Sequence, residues 1–507
     1  MTLVSDPPDV APVDEWRRLD PRMLVIHPVI EIVRAFPALI GLFIAGQGSG
    51  HGSRWSLVAT ALVAAAATLR YFTTRFRITP AQIQLRHGLL RRRTTAAPLD
   101  RVRTVDVTAH ALHRVLGLAR VVIGTGTSDR KGRPALTLDG LRIDDAGRLR
   151  DELLHRAPVN PPSVSTVDAA TPVRDETELF RLPRSWVRYA PFTLSGAITA
   201  VAIAGFAWRL IGEAHVDPDR FGPLHALIDH LSAAPLWQDV VEVGAAGIAF
   251  IALASTAGYV LAFWNFRLSR HRGGTLHMTR GLITSRATSI EERRLRGAEI
   301  SEPLLLRAVG GARTMAITTG LRVGRGAERG GTMLMPPGPQ ADAVRIAAAV
   351  VGPAAPFTAP LVDHGPRARQ RRYVRALGAT LAVVAVTGLV WLAAGIGGWG
   401  WLGAAVLVPL SVPLAADRAR SLGHALSGDY LVTRQGSLVR RRVVLARDGV
   451  IGVNLRSSFF QRRAGLATLT ATTAAGRQGY RVPDVAEAEA VALADTLVPG
   501  LLEPFRD

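Results

Sequence analysis

The sequence predicts a membrane protein in which pairs of apolar helices alternate with β-rich domains, and this unit occurs three times. Three observations predict it. Six apolar stretches fall into three pairs along the 507 residues, arginine is concentrated in the long segments between the pairs, and one glycine spacing recurs three times. The formal net charge of +21 therefore belongs to the segments outside the apolar stretches.

Six stretches approach the roughly 20 apolar residues that a helix needs to cross a bilayer. They are Val29–Gly46, Trp55–Phe72, Tyr189–Ile211, Val240–Trp264, Ala376–Gly397 and Trp401–Ala416. Glu31 and Arg34 in the first are spaced to form a pair near the interface. The sixth is short and contains Pro409 and Pro413. We expect spans and not buried helices of a soluble protein, because three such pairs are difficult to hide from water.

The distribution of arginine predicts the orientation. The link inside the second pair, residues 212–239, is acidic, whereas arginines crowd the segments that follow each pair. Basic residues near helix ends mark the cytoplasmic side, so we expect both termini and all β-rich domains inside a bacterial cell. The first 27 residues are polar and lack the apolar core of a cleavable signal peptide, so the first span is expected to direct insertion.

Three windows that begin at Arg86, Thr279 and Arg434 share one pattern. In each, a first glycine precedes a second at the same interval, and an arginine stands three residues before the second glycine. These residues are Gly88, Arg114 and Gly117, then Gly281, Arg307 and Gly310, then Gly436, Arg462 and Gly465. The same spacing found three times indicates an internal triplication.

The local pattern inside the windows is that of short strands. Ile83 and Leu85, a turn at His87–Gly88, and the following leucines predict a hairpin whose glycine supplies a positive φ. Each window is followed by an amphipathic helix, expected over Asp144–Arg156, Pro339–Val351 and Pro483–Leu497, with Asp144 and Asp484 as N-caps. We therefore expect about seven strands closed at one corner by a C-terminal helix.

This arrangement resembles the pleckstrin-homology (PH) barrel. The exit sequence YFTTRFRIT, the Gly-Leu hairpin followed by arginine, and the L-x-R-x-x-G segment resemble bacterial PH domains of the membrane family in which a helical hairpin precedes each domain. The third window departs most, with SGDYLVTRQG as its exit sequence and Phe460 in place of the leucine. The resemblance covers about 450 residues and implies a non-enzymatic membrane protein.

The expected organisation follows from the spans and windows. An N-terminal segment 1–27 and a tail 500–507 flank three units, which are hairpin 28–72 with PH-like domain 73–158, hairpin 187–265 with domain 266–352, and hairpin 375–417 with domain 418–499. Residues 159–186 and the basic stretch 353–374 are linkers.

Two groups of arginines are candidate functional residues. Arg91, Arg92 and Arg93, and Arg440, Arg441 and Arg442, follow hairpin glycines and are candidate contacts for anionic lipid. The alternative is a topology signal combined with solvated strand edges that resist aggregation. Arg114, Arg307 and Arg462 are expected to hold a loop through hydrogen bonds to carbonyls, with a ligand role as the alternative.

Other chemistry is not indicated. The chain has no cysteine, which excludes disulfides, thiolate metal sites and cysteine nucleophiles. The glycine-rich fragments near Gly124 and Gly324 lack a following Gly-Lys-Ser/Thr, and the pair His110 and His113 has no third histidine nearby. We expect no catalytic residue, no cofactor and no metal. Nucleic acid is also not expected, because the basic segments lack interleaved aromatic residues.

The sequence favours a scaffold or adaptor that gathers membrane lipids, peptides, an unknown protein partner or further copies of itself at the cytoplasmic face. The alternative is an accessory of transport or export. Coupled transporters place ionisable groups in the middle of the membrane, whereas Glu31, Arg34, Arg209 and Glu242 all lie near the ends of their stretches.

The orientation gives a first prediction. A reporter fused after Asp219 should be external, and reporters fused after Ala327 or Asp507 should be internal, because arginine retains the adjoining segments in the cytoplasm. Paired alkaline phosphatase and fluorescent protein fusions measure this. An external Asp507 would contradict the six-span topology.

Overall fold

The chain folds into β-rich domains and long helices. The computed structural model describes residues 16–24, 26–31, 35, 52–79, 81–88, 93–99, 104–124, 136–155, 176–193, 205, 235–271, 273–319, 332–394 and 399–500. These residues form two compact units. The first comprises Met1–Leu182 with Ser195–Glu291, and the second comprises Pro183–Leu194 with Glu292–Asp507.

The first unit contains eleven strands and four α-helices with complete bounds among the described residues, and residues 23–24 and 26–31 are also helical. The strands are β1 (Arg17–Arg18), β2 (Arg75–Ile78), β3 (Gln82–His87), β4 (Arg93–Pro98), β5 (Thr104–Ala109), β6 (Leu118–Gly124), β7 (Leu136–Arg142), β8 (Glu176–Arg181), β9 (Arg267–His271), β10 (Thr275–Arg280) and β11 (Ser285–Glu291). The helices are α1 (Gly52–Thr73), α2 (Ala111–Val115), α3 (Ile143–His155) and α4 (Leu236–Phe263).

The second unit begins with a 3-10 helix, Arg184–Phe192. Its strands are β12 (Leu295–Pro303), β13 (Gly311–Thr318), β14 (Met333–Pro339), β15 (Gly423–Ser427), β16 (Tyr430–Gln435), β17 (Val439–Ala446), β18 (Gly452–Arg456), β19 (Leu466–Thr472) and β20 (Gly479–Ala486). Its α-helices are α5 (Leu304–Ala308), α6 (Gln340–Val351), α7 (Ala355–Thr358), α8 (Gly365–Ala394), α9 (Trp399–Arg420), α10 (Phe459–Arg463) and α11 (Glu487–Leu497).

In the first and third windows, two groups of antiparallel strands share a core. In the first window, Phe76 and Ile83 from the early strands and Val121 and Leu138 from the later strands lie in one buried cluster with Leu149 of α3. The third window repeats this arrangement, with Leu431 and Leu445 packed in one cluster with Leu469, Val482 and Leu493 of α11. The predicted closure of β-strands by a C-terminal amphipathic helix is thus observed.

The hydrogen-bonded sheets do not follow the windows. One seven-stranded sheet has the order β7-β6-β5-β11-β10-β9-β8, so β5 of the first window pairs with β11 of the second. A six-stranded sheet has the order β14-β13-β12-β17-β16-β15, so β12 of the second window pairs with β17 of the third. The sequence predicts about seven strands within one domain. In the structure, the hydrogen-bonded sheets instead combine strands of two neighbouring windows. The later strands of one window and the early strands of the next window build each of these sheets.

Two further sheets contain the remaining strands. A four-stranded sheet has the order β1-β2-β3-β4, and a three-stranded sheet has the order β18-β19-β20. In the first unit, β1 and β8 both add one strand to the outer side of an early three-strand group, next to β2 and β9. In the second unit, an isolated bridge between Val362 and His424 occupies the corresponding side of β15.

The glycine and arginine spacing has a structural counterpart in all three windows. The helices α2, α5 and α10 each have five residues and begin three residues before Arg114, Arg307 and Arg462. The second glycine then adopts a positive φ, of 69° at Gly117, 70° at Gly310 and 64° at Gly465.

The backbone around this second glycine is also the same. Its amide donates to the carbonyl of the arginine, and its carbonyl accepts from the first residue of α3, α6 or α11, at 3.0–3.1 Å. A β-bulge follows two residues later, at Ala119, Ala312 and Ala467. One local geometry therefore occurs at the same place in each window.

Two predicted helix starts differ from the structure. Asp484 is not an N-cap, because β20 continues to Ala486 and α11 begins at Glu487. Asp484 has a φ of 58° and is buried, so its carboxylate lies inside the domain and not at a helix end. Asp144 lies in the first turn of α3, one residue after its start at Ile143, where a carboxylate still favours the helix dipole.

Some of the predicted spans are described. Trp55–Phe72 lies within α1, and α9 is continuous through Pro409 and Pro413 up to Arg420 and packs against α8. The start of the third stretch differs, because Tyr189 and Ala190 are buried in the 3-10 helix Arg184–Phe192. Most of Val29–Gly46 and of Tyr189–Ile211 lies outside the described residues.

Two described helices are long and apolar enough to cross a membrane, namely Val240–Phe263 and Gly365–Ala393. Their apolar side chains are largely exposed, as for Ile248 and Leu253 at 71% each and Leu392 at 73%. Length and composition of these helices are consistent with membrane association.

The hairpin glycine gives a second prediction. Gly436 has a φ of 106°, and an added Cβ would overlap the carbonyl of Val439. Gly436→Asn should therefore lower the free energy of unfolding by about 1–3 kcal/mol, measured by thermal unfolding of the full chain. Gly428→Asn is the matched control, because its φ of 56° suits asparagine and open space surrounds it. Equal stability of the two variants would contradict this turn geometry.

Candidate anion-binding pocket

The strand junctions are held by buried carboxylates paired with arginine. At the β5–β11 junction, Asp106 is 8% exposed and accepts hydrogen bonds from Arg286 and Thr288. At the β12–β17 junction, Glu299 is 4% exposed and pairs with Arg441 at 3.3 Å and with Arg477 at 3.0 Å. Buried carboxylates are costly unless they are paired and hydrogen-bonded, so these contacts specify the two junctions.

The arginine run of the third window has partners inside the protein. Arg440 forms an ion pair with Asp417 at 2.8 Å, near the end of α9. Arg442 donates to the carbonyl oxygens of Pro356 at 3.3 Å and Ala359 at 2.6 Å. Arg441 pairs with Glu299 as described above. These contacts therefore connect β17 to α9, to β12 and to residues 356–359. Contact of these three arginines with lipid stays a prediction.

The corresponding run of the first window is largely outside the described residues. Arg91 and Arg92 are not described, and Arg93 is described only as the first residue of β4. Its preceding hairpin glycine, Gly88, has a φ of 112°. The positive φ predicted for the hairpin is therefore observed in all three windows, with 106° at both Gly281 and Gly436.

The arginines before the second glycines contact loops and helix ends. Arg114 donates to the carbonyl of Leu282, one residue after the hairpin glycine of the second window. Arg307 pairs with Asp417 at 2.9 Å, and Arg462 donates to the carbonyl of Ser457 at 3.3 Å. Two of the three therefore bind carbonyl oxygens, and the third binds a carboxylate. The structural role expected for these arginines stays a prediction.

A basic pocket lies in the second unit, between the ends of α8 and α9 and the strands β16, β17 and β20. Its volume is about 600 Å³. Five arginines line it, together with the polar side chains of Thr433, Gln435 and Tyr480, and none of its described lining residues is acidic. The arginines are Arg372, Arg418, Arg441, Arg477 and Arg481.

The positive charge of this pocket is only partly balanced. Glu299 supplies one negative charge to both Arg441 and Arg477, and Asp484 is shared between Arg372 and Arg371. Among the described residues, neither Arg418 nor Arg481 has a carboxylate within ion-pair distance. The pocket therefore carries an excess of positive charge that a bound anion would balance.

The local structure fixes the pocket wall. Thr433 donates to the carbonyl of Arg481 at 2.9 Å, and Gln435 donates to the same oxygen at 3.3 Å. These bonds hold β20 beside β16, which positions the Arg481 side chain. Arg418 comes from the last turn of α9, where basic residues also favour the helix dipole.

The electrostatics of the pocket favour an anion. Burial lowers the pKa of Arg441, and Glu299 acts in the opposite direction. Burial raises the pKa of Tyr480 to about 12, so its hydroxyl stays protonated at neutral pH. A phosphate group entering the pocket would meet guanidinium donors, whose planar geometry suits bidentate hydrogen bonds to phosphate oxygens.

Sequence reasoning found one of these five arginines. Arg441 belongs to the predicted run, whereas Arg372, Arg418, Arg477 and Arg481 lie on separate elements and were not predicted as site residues. Their convergence depends on how α8 and α9 pack on the domain. The signal available in the sequence was only the general concentration of arginine at the ends of apolar stretches.

Comparison with known families supports the resemblance. The family model described as bacterial PH domain matches two segments, residues 30–157 and 375–498. The chain therefore carries bacterial PH domains, and the family resemblance expected from the sequence is confirmed. The second of these segments contains most of the pocket, including Arg418, Arg441 and Arg481. No curated protein and no solved structure matches the chain.

Proposed function

We propose that this chain is a multi-pass protein of the bacterial cytoplasmic membrane, built from three hairpin-plus-PH repeats, that serves as a non-enzymatic adaptor. Its domains would bind anionic phospholipid headgroups at the cytoplasmic face and so present surfaces to protein partners. The observation that carries the proposal is the pocket of five arginines beside the ends of α8 and α9.

The three repeats are supported by coincident geometry. The five-residue helices, the positive φ of the second glycine and the bulge two residues later occupy the same positions in each window. Three segments of unrelated origin are not expected to share all of these features at the same spacing. The second window, which lies between the two matched segments, is therefore best explained as a third PH-like repeat.

Membrane insertion is supported by the exposed apolar helices. In α4, Val240 and Val243 are 65% and 57% exposed, and in α8, Leu381 and Leu389 are 71% and 67% exposed. A helix that exposes apolar side chains around its surface is stable in lipid and not in water. Arginine follows the end of α4, at Arg267, and arginines crowd the start of α8, which favours a cytoplasmic position for the domains at those two helix ends.

A headgroup is the ligand that this position favours. Arg372 precedes the apolar part of α8, and Arg418 follows the apolar part of α9. With both helices inserted, these two arginines would lie where the polar region of a bilayer begins. A phosphodiester at that level would be close to the pocket, which Arg477 and Arg481 also line. The pocket therefore combines an anchored location with excess positive charge.

The pocket gives a third prediction. In the delipidated full chain, Arg418→Gln with Arg481→Gln should weaken binding of dioctanoyl phosphatidylglycerol by about 2 kcal/mol, or roughly 30-fold, because each basic side chain contributes about 1 kcal/mol. Native mass spectrometry or titration in detergent measures the dissociation constant. Dioctanoyl phosphatidylcholine should bind more weakly to the wild-type chain and respond little to the substitutions.

A matched control removes the same charge elsewhere. Arg420→Gln with Arg345→Gln changes two exposed arginines that do not line the pocket, one of them at the same end of α9. This variant should bind phosphatidylglycerol nearly as the wild type does. Equal loss in both double variants would mean that surface charge alone attracts lipid, and no difference between the two lipids would contradict a headgroup site.

A further inference from the structure

The five-residue helices α2, α5 and α10 each expose an apolar side chain at their second position. The exposed fractions are 42%, 50% and 72% at Leu112, Leu305 and Phe460. The third residue of each helix is buried instead, with exposed fractions of 0%, 1% and 6% at His113, Leu306 and Gln461. The third position therefore holds each helix on its domain, and the second position presents an apolar group at the same place in every window.

In the first unit, α2 lies at the end of the apolar helix α4. Arg114 donates to the carbonyl of Leu282, and the amide of Leu282 donates to the carbonyl of Leu261, in the last turn of α4, at 3.0 Å. Val115 at the end of α2 and Ile283 in the adjoining hairpin are also exposed. Exposed apolar side chains of the domain therefore lie beside the end of this helix.

In the second unit, α5 lies at the end of the apolar helix α9. Arg307 pairs with Asp417 at 2.9 Å, and Asp417 directly follows the apolar stretch Trp401–Ala416. The first amide of α5 donates to the carbonyl of Leu438 at 2.8 Å, and the side chain of Leu438 is exposed. Ile283 and Leu438 both stand two residues after a hairpin glycine, so the same apolar positions recur at both helix ends.

In the same unit, α10 lies at the start of the apolar helix α8. Arg371 of α8 donates to the hydroxyl of Ser458, the N-cap of α10, at 3.2 Å. Arg371 precedes the apolar stretch Ala376–Gly397 by five residues, or about 8 Å of helix. The polar region on each side of a bilayer is about 5–8 Å thick. With α8 inserted, α10 would therefore lie beside the polar region.

The surface around α10 is apolar and basic. The rings of Phe459 and Phe460 are in edge-to-face contact, with centroids 5.5 Å apart, and both are exposed. Residues 451–465 contain no acidic residue, and their three exposed arginines are Arg456, Arg462 and Arg463. Exposed aromatic side chains flanked by basic residues suit the interface of an anionic lipid bilayer, where the rings are buried and the charges meet headgroups.

We infer that Phe460, together with Phe459, inserts into the interfacial region of the cytoplasmic leaflet, and that Leu112 and Leu305 make the same contact beside α4 and α9. The occupant is lipid because each short helix adjoins an apolar helix and because the surface of α10 is basic. None of these four residues lines the arginine pocket. The inference rests on the proposed membrane insertion and not on headgroup binding in that pocket, and the contact fixes the orientation of each domain relative to the bilayer.

Quenching of fluorescence by lipid tests this inference in the full chain, which has no cysteine of its own. The single variants Phe460→Cys, Leu305→Cys and Leu112→Cys are labelled with a small fluorophore and reconstituted in nanodiscs of phosphatidylglycerol and phosphatidylcholine. The quencher is phosphatidylcholine with a nitroxide on its acyl chain near the headgroup. All three labels should be quenched at least about threefold more strongly than a control label, because interfacial side chains lie about 5–10 Å into the boundary between headgroups and acyl chains.

Leu426→Cys provides the matched control label. Leu426 is exposed to the same extent as Leu112, at 42%, but it lies on β15, six residues beyond the end of α9 and up to about 20 Å away along the strand. Leu381→Cys, in the apolar part of α8, is the reference for an inserted position and should be strongly quenched.

Equal quenching of Phe460→Cys and Leu426→Cys would overturn the inference. A label at Phe460→Cys that is shielded from a water-soluble quencher but not reached by the lipid nitroxide would also overturn it, because a protein surface would then be the occupant. Absence of quenching at Leu381→Cys would overturn membrane insertion and this inference together. Arg418→Gln with Arg481→Gln should leave the quenching of Phe460→Cys unchanged, which separates this contact from headgroup binding in the pocket.

Discussion

The antiparallel pairing of β12 with β17, and of β5 with β11, is the interaction on which the rest of the structure depends. Each pairing joins the later strands of one window to the early strands of the next, while the apolar cores of the first and third windows each form within the window. A continuous sheet transmits position through backbone hydrogen bonds, so neighbouring domains share a fixed register. The acidic residue buried at each junction makes that register specific, because a one-residue slip would separate the carboxylate from its arginine.

The features that sequence reasoning predicted are local ones. The positive φ of Gly88, Gly281 and Gly436 follows from the hairpin pattern around each glycine, and the C-terminal helices follow from their apolar periodicity. Strand pairing between windows is non-local. The sequence pattern of β12 predicts a strand, but it does not indicate which strand β12 pairs with. A signal was present nonetheless, because Asp106 and Glu299 both stand eight residues before the window arginine, and Arg286 and Arg441 both stand five after the hairpin glycine.

Arginine therefore has two roles that composition alone does not separate. Some arginines form ion pairs inside the fold. Arg286 and Arg441 pair with carboxylates at the strand junctions, and Arg440 pairs with a carboxylate near the end of α9. Other arginines remain available, as at Arg418 and Arg481 in the pocket. The pocket was not predictable as a set, because its arginines come from two helices and two strands and from the turn before β20. Its location beside two apolar helices connects the fold to the proposed adaptor role at the membrane.

A disulfide assay of the β12–β17 junction tests the continuous sheet most directly. Ala298 faces Val444, so the full chain with Ala298→Cys and Val444→Cys should form an intrachain disulfide on oxidation, identified by mass spectrometry of the linked peptides. Self-contained domains would instead pair β12 with β11 of its own window and bring Ala298 opposite Ser289, which holds the position of Val444 relative to the hairpin glycine. We predict a disulfide in the variant with Ala298→Cys and Val444→Cys, and none in the variant with Ala298→Cys and Ser289→Cys. A disulfide only in the second variant would contradict the continuous sheet.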